Sequence, residues 1–156
     1  MSQCLHATFL GFGGRPVYLA RVSSPQDIVE LPGLRVTVDK LVYQPGQGVP
    51  DRPHCFIYFI TIHNDSDVTV TIKARKWVVT DANGEVTAVE GDGVVGQFPE
   101  LPPGESFSYN SFHLLDATYA VAKGSYLGVD ENGRRVLTRI PPFDLPLIAQ
   151  RFYALL

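Results

Sequence analysis

Cysteine is scarce in this 156-residue chain: there are two, Cys4 and Cys55, with no CxxC spacing and no histidine cluster beside either. That excludes a disulfide framework, a thioredoxin-like redox pair and a zinc site, and both thiols are expected to be buried and inert. No apolar run approaches the ~18 residues needed to cross a bilayer, so no membrane insertion is expected. The leading residues MSQCLHATFLGFGGRP lack a basic start, and His6, Thr8 and Gly11 break their apolar stretch, unlike a secretory signal. A cytoplasmic protein is the expectation. Nor is there an excess of one charge: 13 Lys and Arg against 16 Asp and Glu give a formal net charge of -3. No field draws in a polyanion, which disfavours nucleic acid as the main partner. Catalytic patterns are missing as well. There is no GxSxG elbow, the serines near Phe107 have no local base, and His54 and Cys55, as neighbours on a strand, point to opposite faces. The chain reads as a binding module and not an enzyme, with no cofactor expected.

Turn formers, by contrast, are abundant. The chain has 14 Gly and 12 Pro, with 45% apolar and 19% charged residues, the composition of a folded, turn-rich protein. One domain is expected at this length. Roughly 70% of the unfolded chain's surface can be buried in a domain this size, enough to fold without disulfides or a metal.

Period-two alternation is the dominant pattern. In LRVTVDKLVY, residues 34–43, Leu34, Val36, Val38 and Val42 share one face, and only Lys40 breaks the inward row. HCFIYFITIHN, residues 54–64, is apolar on both parities and predicts a central strand. Asn64 to Asp67 then favour a turn. The next strand changes phase after Lys76, which predicts a bulge near Arg75 and Lys76. Two tetrads, Asp81-Ala82-Asn83-Gly84 and Asp130-Glu131-Asn132-Gly133, carry the Asn-Gly hairpin signal. Between them come a short strand at 85–89, the irregular loop GDGVVGQFPELPPGE, a strand at 106–113, a loop or single helical turn over 114–123, and a strand at 124–129. A last strand, 134–140, is expected to end at Pro141-Pro142, which removes two backbone donors. About seven strands with turns every 8–12 residues predict an all-β, immunoglobulin- or fibronectin type III-like antiparallel sandwich over 34–147. Residues 1–33 read as an irregular extension and 148–156 as a short tail.

Gly91-Asp92-Gly93-Val94-Val95-Gly96 matches GxGxxG literally, but Pro99, Pro102 and Pro103 follow too closely for a helix to open there, so the dinucleotide reading fails. Two readings stay open. The amides of Gly91, Gly93 and Gly96, with Lys73 and Arg75 on a neighbouring strand, form an anion nest for a phosphate-containing small molecule. Alternatively the glycines only let the chain turn while Val94 and Val95 plug the core. Asp65, Asp67 and Asp81 are read as turn formers, since no twelve-residue calcium loop is present, and His54 and His63 are too far apart on one strand to share an ion. No metal site is expected. Trp77 is read as the core anchor between the sheets. With 7 Tyr and 9 Phe, rings beyond the core's capacity are expected at the surface, where they suit partner binding.

Five blocks occur in order: FIYFITIHN at 56–64, RKWVVTDANGEV at 75–86, EGDGVVGQFPELPPGESFSYNS at 90–111, GSYLGVDENGRR at 124–135 and IPPFDLPL at 140–147. Together they resemble the ApaG domain from Val36 to about Pro146. The resemblance implies a fibronectin type III-like sandwich. It also implies reuse as a module in larger eukaryotic proteins, among them an F-box protein and a protein that interacts with a DNA polymerase subunit. A protein partner is therefore expected, and an open strand edge would also suit self-association. In bacteria the resemblance further implies a genetic association with cobalt resistance and magnesium efflux, and gene neighbours that encode a diadenosine tetraphosphate hydrolase and an rRNA methyltransferase. The tract GFGGRP within residues 1–33 has no counterpart in the short bacterial form.

Overall fold

A computed structural model describes residues 27–147. Two sheets face each other. The smaller has the order β2 (Leu34–Gln44), β3 (His54–Asn64), β7 (Ser106–Leu115). The larger has the order β1 (Val29–Glu30), β9 (Arg135–Pro146), β8 (Tyr119–Asp130), β4 (Val70–Asp81), β5 (Val86–Asp92), and the two-residue β6 (Glu100–Leu101) shares the outer edge of β4 with β5. All pairs are antiparallel except β1 with β9. The chain is thus an all-β sandwich of the fibronectin type III-like kind, with seven strands of ordinary length and two short ones. Residues 29–30, within the segment read as irregular, join the larger sheet; residues 1–26 and the 148–156 tail, with Cys4 and GFGGRP, lie outside the described residues.

Alternation fills the interior. Phe56, Tyr58, Ile60 and Ile62 of β3 are all but fully buried against Ile72, Trp77 and Val79 of β4, Ala120, Ala122 and Tyr126 of β8, and Val136 and Ile140 of β9. Each large apolar side chain so enclosed contributes about 1.5–3 kcal/mol relative to exposure. β3 is central to its sheet, but only one of its faces is sealed: Ile57 and Phe59 are half-buried on the outer side.

Bulges account for the main departures from the sequence reading. In β2 the register against β3 shifts between Val38 and Lys40. Asp39 is the extra residue, and its carboxylate accepts from the Thr37 hydroxyl at 2.7 Å and the Thr61 hydroxyl at 2.5 Å. The slip turns Leu41 and Tyr43 toward the core and Val42 outward beside Ile57, which reverses the expected placement of Val42. In β4 the shift falls between Ile72 and Ala74, earlier than the expected Arg75 and Lys76, because Lys73 is the residue left over. β7 runs to Leu115 and β8 begins at Tyr119, so most of the 114–123 stretch is strand, the expected loop is confined to 116–118, and no helical turn forms. Pro141 and Pro142 do not end β9. The register jump from Ala122↔Phe143 to Gly124↔Ile140 seats both prolines in a bulge, where no ladder donor is required of them.

Both Asn-Gly tetrads make hairpins, by a different backbone route from the one expected. Gly84 and Gly133 have φ of +82° and +78°, while neither preceding asparagine is left-handed. Each hairpin is a three-residue loop closed by glycine, and the leading aspartate fixes it. Asp81 accepts from the amides of Asn83 and Glu85, and Asp130 from those of Asn132 and Arg134. Beside the second hairpin, buried Asn64 donates to the carbonyls of Val68 and Leu101 and accepts from Ser66.

Candidate functional site

Among the described residues, the two sheets are closed on one flank and open on the other. On the closed flank β2 lies against β9, and the Thr138 hydroxyl donates to the Leu34 carbonyl at 2.7 Å. On the open flank the edge strands β5 and β7 border a cleft of about 510 Å³. Its walls are apolar, with Val79, Val89, Phe112 and Leu115. Its rim is acidic, with Asp51, Asp81, Glu85 and Asp116 and, among the described residues, one cation, Arg52. The acids come from three separate turns, between β2 and β3, between β4 and β5, and after β7. Val89 and Phe112 stand on the lips, 45% and 57% exposed.

His113 projects from β7 into this space. Its ring lies 4.9 Å from that of Tyr58 and 5.2 Å, edge-on, from that of Trp77. Its Nε2 is enclosed and makes no hydrogen bond. Burial pushes the imidazole pKa down to about 4, so the ring is neutral near pH 7. Trp77, 2% exposed, also touches Phe143. Deeper in, the hydroxyls of Tyr109 and Tyr126 bond to each other, and burial drives both phenols upward.

The glycine loop borders a different part of the molecule. Arg75 reaches it and donates to the carbonyls of Asp92 at 2.9 Å and Gly93 at 3.1 Å. A Cβ on Gly91 would come to 3.0 Å from that guanidinium, so a side chain here requires Arg75 to shift slightly. The Gly93 amide donates to the Lys73 carbonyl at 2.7 Å, and the Val94 amide to that of Gln97 at 2.8 Å. Val94 is fully buried, whereas Val95, with φ +48°, and Gly96, with φ +74°, form an exposed reversal. The Lys73 ammonium stands 5.9 Å from the centre of the Phe98 ring. The structure therefore brings the Arg75 guanidinium and the Lys73 carbonyl against Gly91 and Gly93, while the Lys73 ammonium lies over Phe98 and Gly96 sits in the exposed reversal. Of the valines expected to plug the core, only Val94 does.

Other candidates are also placed. Cys55 is buried with a thiol pKa raised by burial, and His54 shares a 3.1 Å hydrogen bond with the Tyr43 hydroxyl. No group of three or more His, Cys, Asp or Glu among the described residues is positioned to hold a metal ion. No helix among them is long and apolar enough to cross a membrane.

A family model for the ApaG domain matches residues 47–130. The chain belongs to the ApaG domain family. Protein ApaG of Vibrio cholerae serotype O1 is 38% identical over 117 residues, covering 75% of this chain and 93% of the relative. Protein ApaG of Anaeromyxobacter sp. is 40% identical over 113 residues, covering 72% and 89%. Among solved structures, a protein from Bordetella pertussis described as ApaA superposes with a TM-score of 0.69 at 34% identity, over 78% of this chain and 99% of that one. The cleft residues of this ApaG domain were invisible as a group in the sequence, since folding alone gathers Asp51, Asp81, Glu85 and Asp116. One signal was there to be read: β7 holds ten residues without a charge, and His113 sits on its core-facing parity.

Proposed function

We propose that the chain is a non-catalytic protein-binding module whose contact surface is the flank between β5 and β7. The observation that supports this reading is two exposed apolar side chains, Val89 and Phe112, set on the lips of a cleft between two strand edges that pair with no further strand among the described residues. Exposed apolar groups ringed by polar ones are the usual composition of a contact surface. Under this reading the family's association with cobalt resistance and magnesium efflux is exerted through a partner. Photo-crosslinking tests it. Benzoylphenylalanine placed at position 112 or 89 should give a discrete adduct in the native host, and the same probe at Thr71, across the sheet, should give none. Equal or absent labelling at all three positions would count against the module.

The rival reading is anion binding by Gly91, Gly93 and Gly96 with Lys73 and Arg75. It requires Arg75 to release two carbonyls and the Gly93 amide to leave the Lys73 carbonyl. Pyrophosphate at millimolar concentration should leave the melting temperature unchanged if the loop keeps those bonds; a dose-dependent rise lost in Gly93→Val would favour the rival.

A further inference from the structure

β7 is an edge strand without the usual protection. Natural sheets blunt their edges with charges, prolines, bulges or very short strands, because unpaired backbone groups template pairing with another chain. The other described edges have such devices. β1 is two residues long, β2 carries Arg35, Lys40 and the Asp39 bulge, and β5 carries Glu90, Asp92 and Gly91. β7 has none. Its ten residues include no Asp, Glu, Lys, Arg or Pro, and it pairs with β3 over ten successive positions without a register shift. Among the described residues its other side pairs with no strand.

Charge selects the occupant. Glu105 precedes the strand and Asp116 follows it, both exposed, and Asp51, Asp81 and Glu85 line the neighbouring cleft. The four ion pairs within the described chain use none of these five carboxylates. A second copy of the chain added antiparallel and centred on β7 would set Glu105 opposite Asp116 of the other copy at both ends, like against like. A strand with cations at its ends meets the opposite situation. Its middle meets Phe112, Ile57 and Val42, an apolar row across the outer face of the smaller sheet.

We propose that β7 accepts, by strand addition, an extended segment of a partner protein that is apolar in its middle and basic at its ends. The proposal rests on the protein-binding reading and names the partner's chemistry. Main-chain hydrogen bonds to β7 supply affinity, and Glu105 and Asp116 set register and selectivity.

The test uses a fluorescein-labelled probe of alternating Val and Thr with two Lys at each end, and its Glu-ended counterpart, titrated against the full chain by anisotropy. The Lys-ended probe should bind, weaken about tenfold between low and high salt, and outcompete the Glu-ended probe about tenfold. N-methylation of alternate amides along one edge of the probe should abolish binding. The double variant Glu105→Lys with Asp116→Lys, both at exposed positions, should reverse the preference and take the Glu-ended probe. Amide exchange should slow at alternate residues of β7. Failure of the Lys-ended probe at millimolar concentration overturns the proposal, as does a preference the double variant leaves unchanged. So does a concentration-dependent dimer, seen by ultracentrifugation, that occupies the same amides. If crosslinking at Phe112 still yields a discrete adduct in those cases, the module stands and only strand addition by a basic segment fails; if that adduct is absent too, the functional reading fails with it.

Discussion

His113 is held in a place that suits its ring and not its nitrogen. The ring packs on Tyr58 and Trp77, while Nε2 has no partner, and an enclosed polar atom left unbonded costs about 1–3 kcal/mol. Protonation is disfavoured in the folded state, with a pKa of about 4 against 6.5 for an ordinary imidazole. Between those values the unfolded chain binds more protons, so this residue's contribution is complete above about pH 6.5 and is lost as the pH falls toward 4. Urea midpoints at pH 7 and pH 4.5 should differ more for the parent than for His113→Phe, which removes the titrating group. Val95 is the second residue under constraint. A β-branched side chain in the left-handed region costs on the order of 1 kcal/mol, and its surroundings are open. Val95→Gly should therefore raise the denaturation midpoint by a stabilisation of about 0.5–1 kcal/mol, and a lowered midpoint would show that the turn owes its shape to the valine. Neither constraint was legible beforehand, since both depend on which neighbours a residue meets.

Among the elements, β3, β4 and the two Asp-x-Asn-Gly hairpins were legible because alternation and turn chemistry are local. Of the bulges, the phase shift announced only the one in β4, near but not at Lys73; those of β2 and β9 were not legible. A bulge leaves composition untouched and shifts only which parity faces inward, so Val42 was placed in the core and Pro141-Pro142 was read as an end. Where β8 pairs with β4, backbone comes unusually close to a side-chain position. A Cβ on Gly124 would lie 2.1 Å from the Lys76 carbonyl oxygen and 3.0 Å from Ile140. Gly124→Ala is expected to cost about 1–3 kcal/mol, whereas Gly84, whose surroundings are open, owes its identity to φ alone. Equal stability of Gly124→Ala and the parent in chemical denaturation would mean that β4 yields at Lys76.

For the whole molecule, the sandwich class followed from strand count and spacing, while the cleft did not, because its acids are brought together from turns far apart in the chain. The glycine loop, the most conspicuous motif in the sequence, is occupied in holding β4 to β5 through Arg75. The bare flank of β7 bears on how the chain attains its structure. β3 leaves the ribosome before β7, its partner on that side, which is made only after β4, β5 and β6, and the ladder between them runs from His54↔Leu115 to His63↔Ser106. Until then two uncharged strands are both adhesive, and pairings so distant in the chain form slowly. Recovery of active fold after dilution from urea should fall as protein concentration rises, and Phe112→Lys, which places a gatekeeper on the late strand without touching the interior, should restore it. An edge strand so free of charge thereby ties the yield of folding to how crowded the newly made chains are.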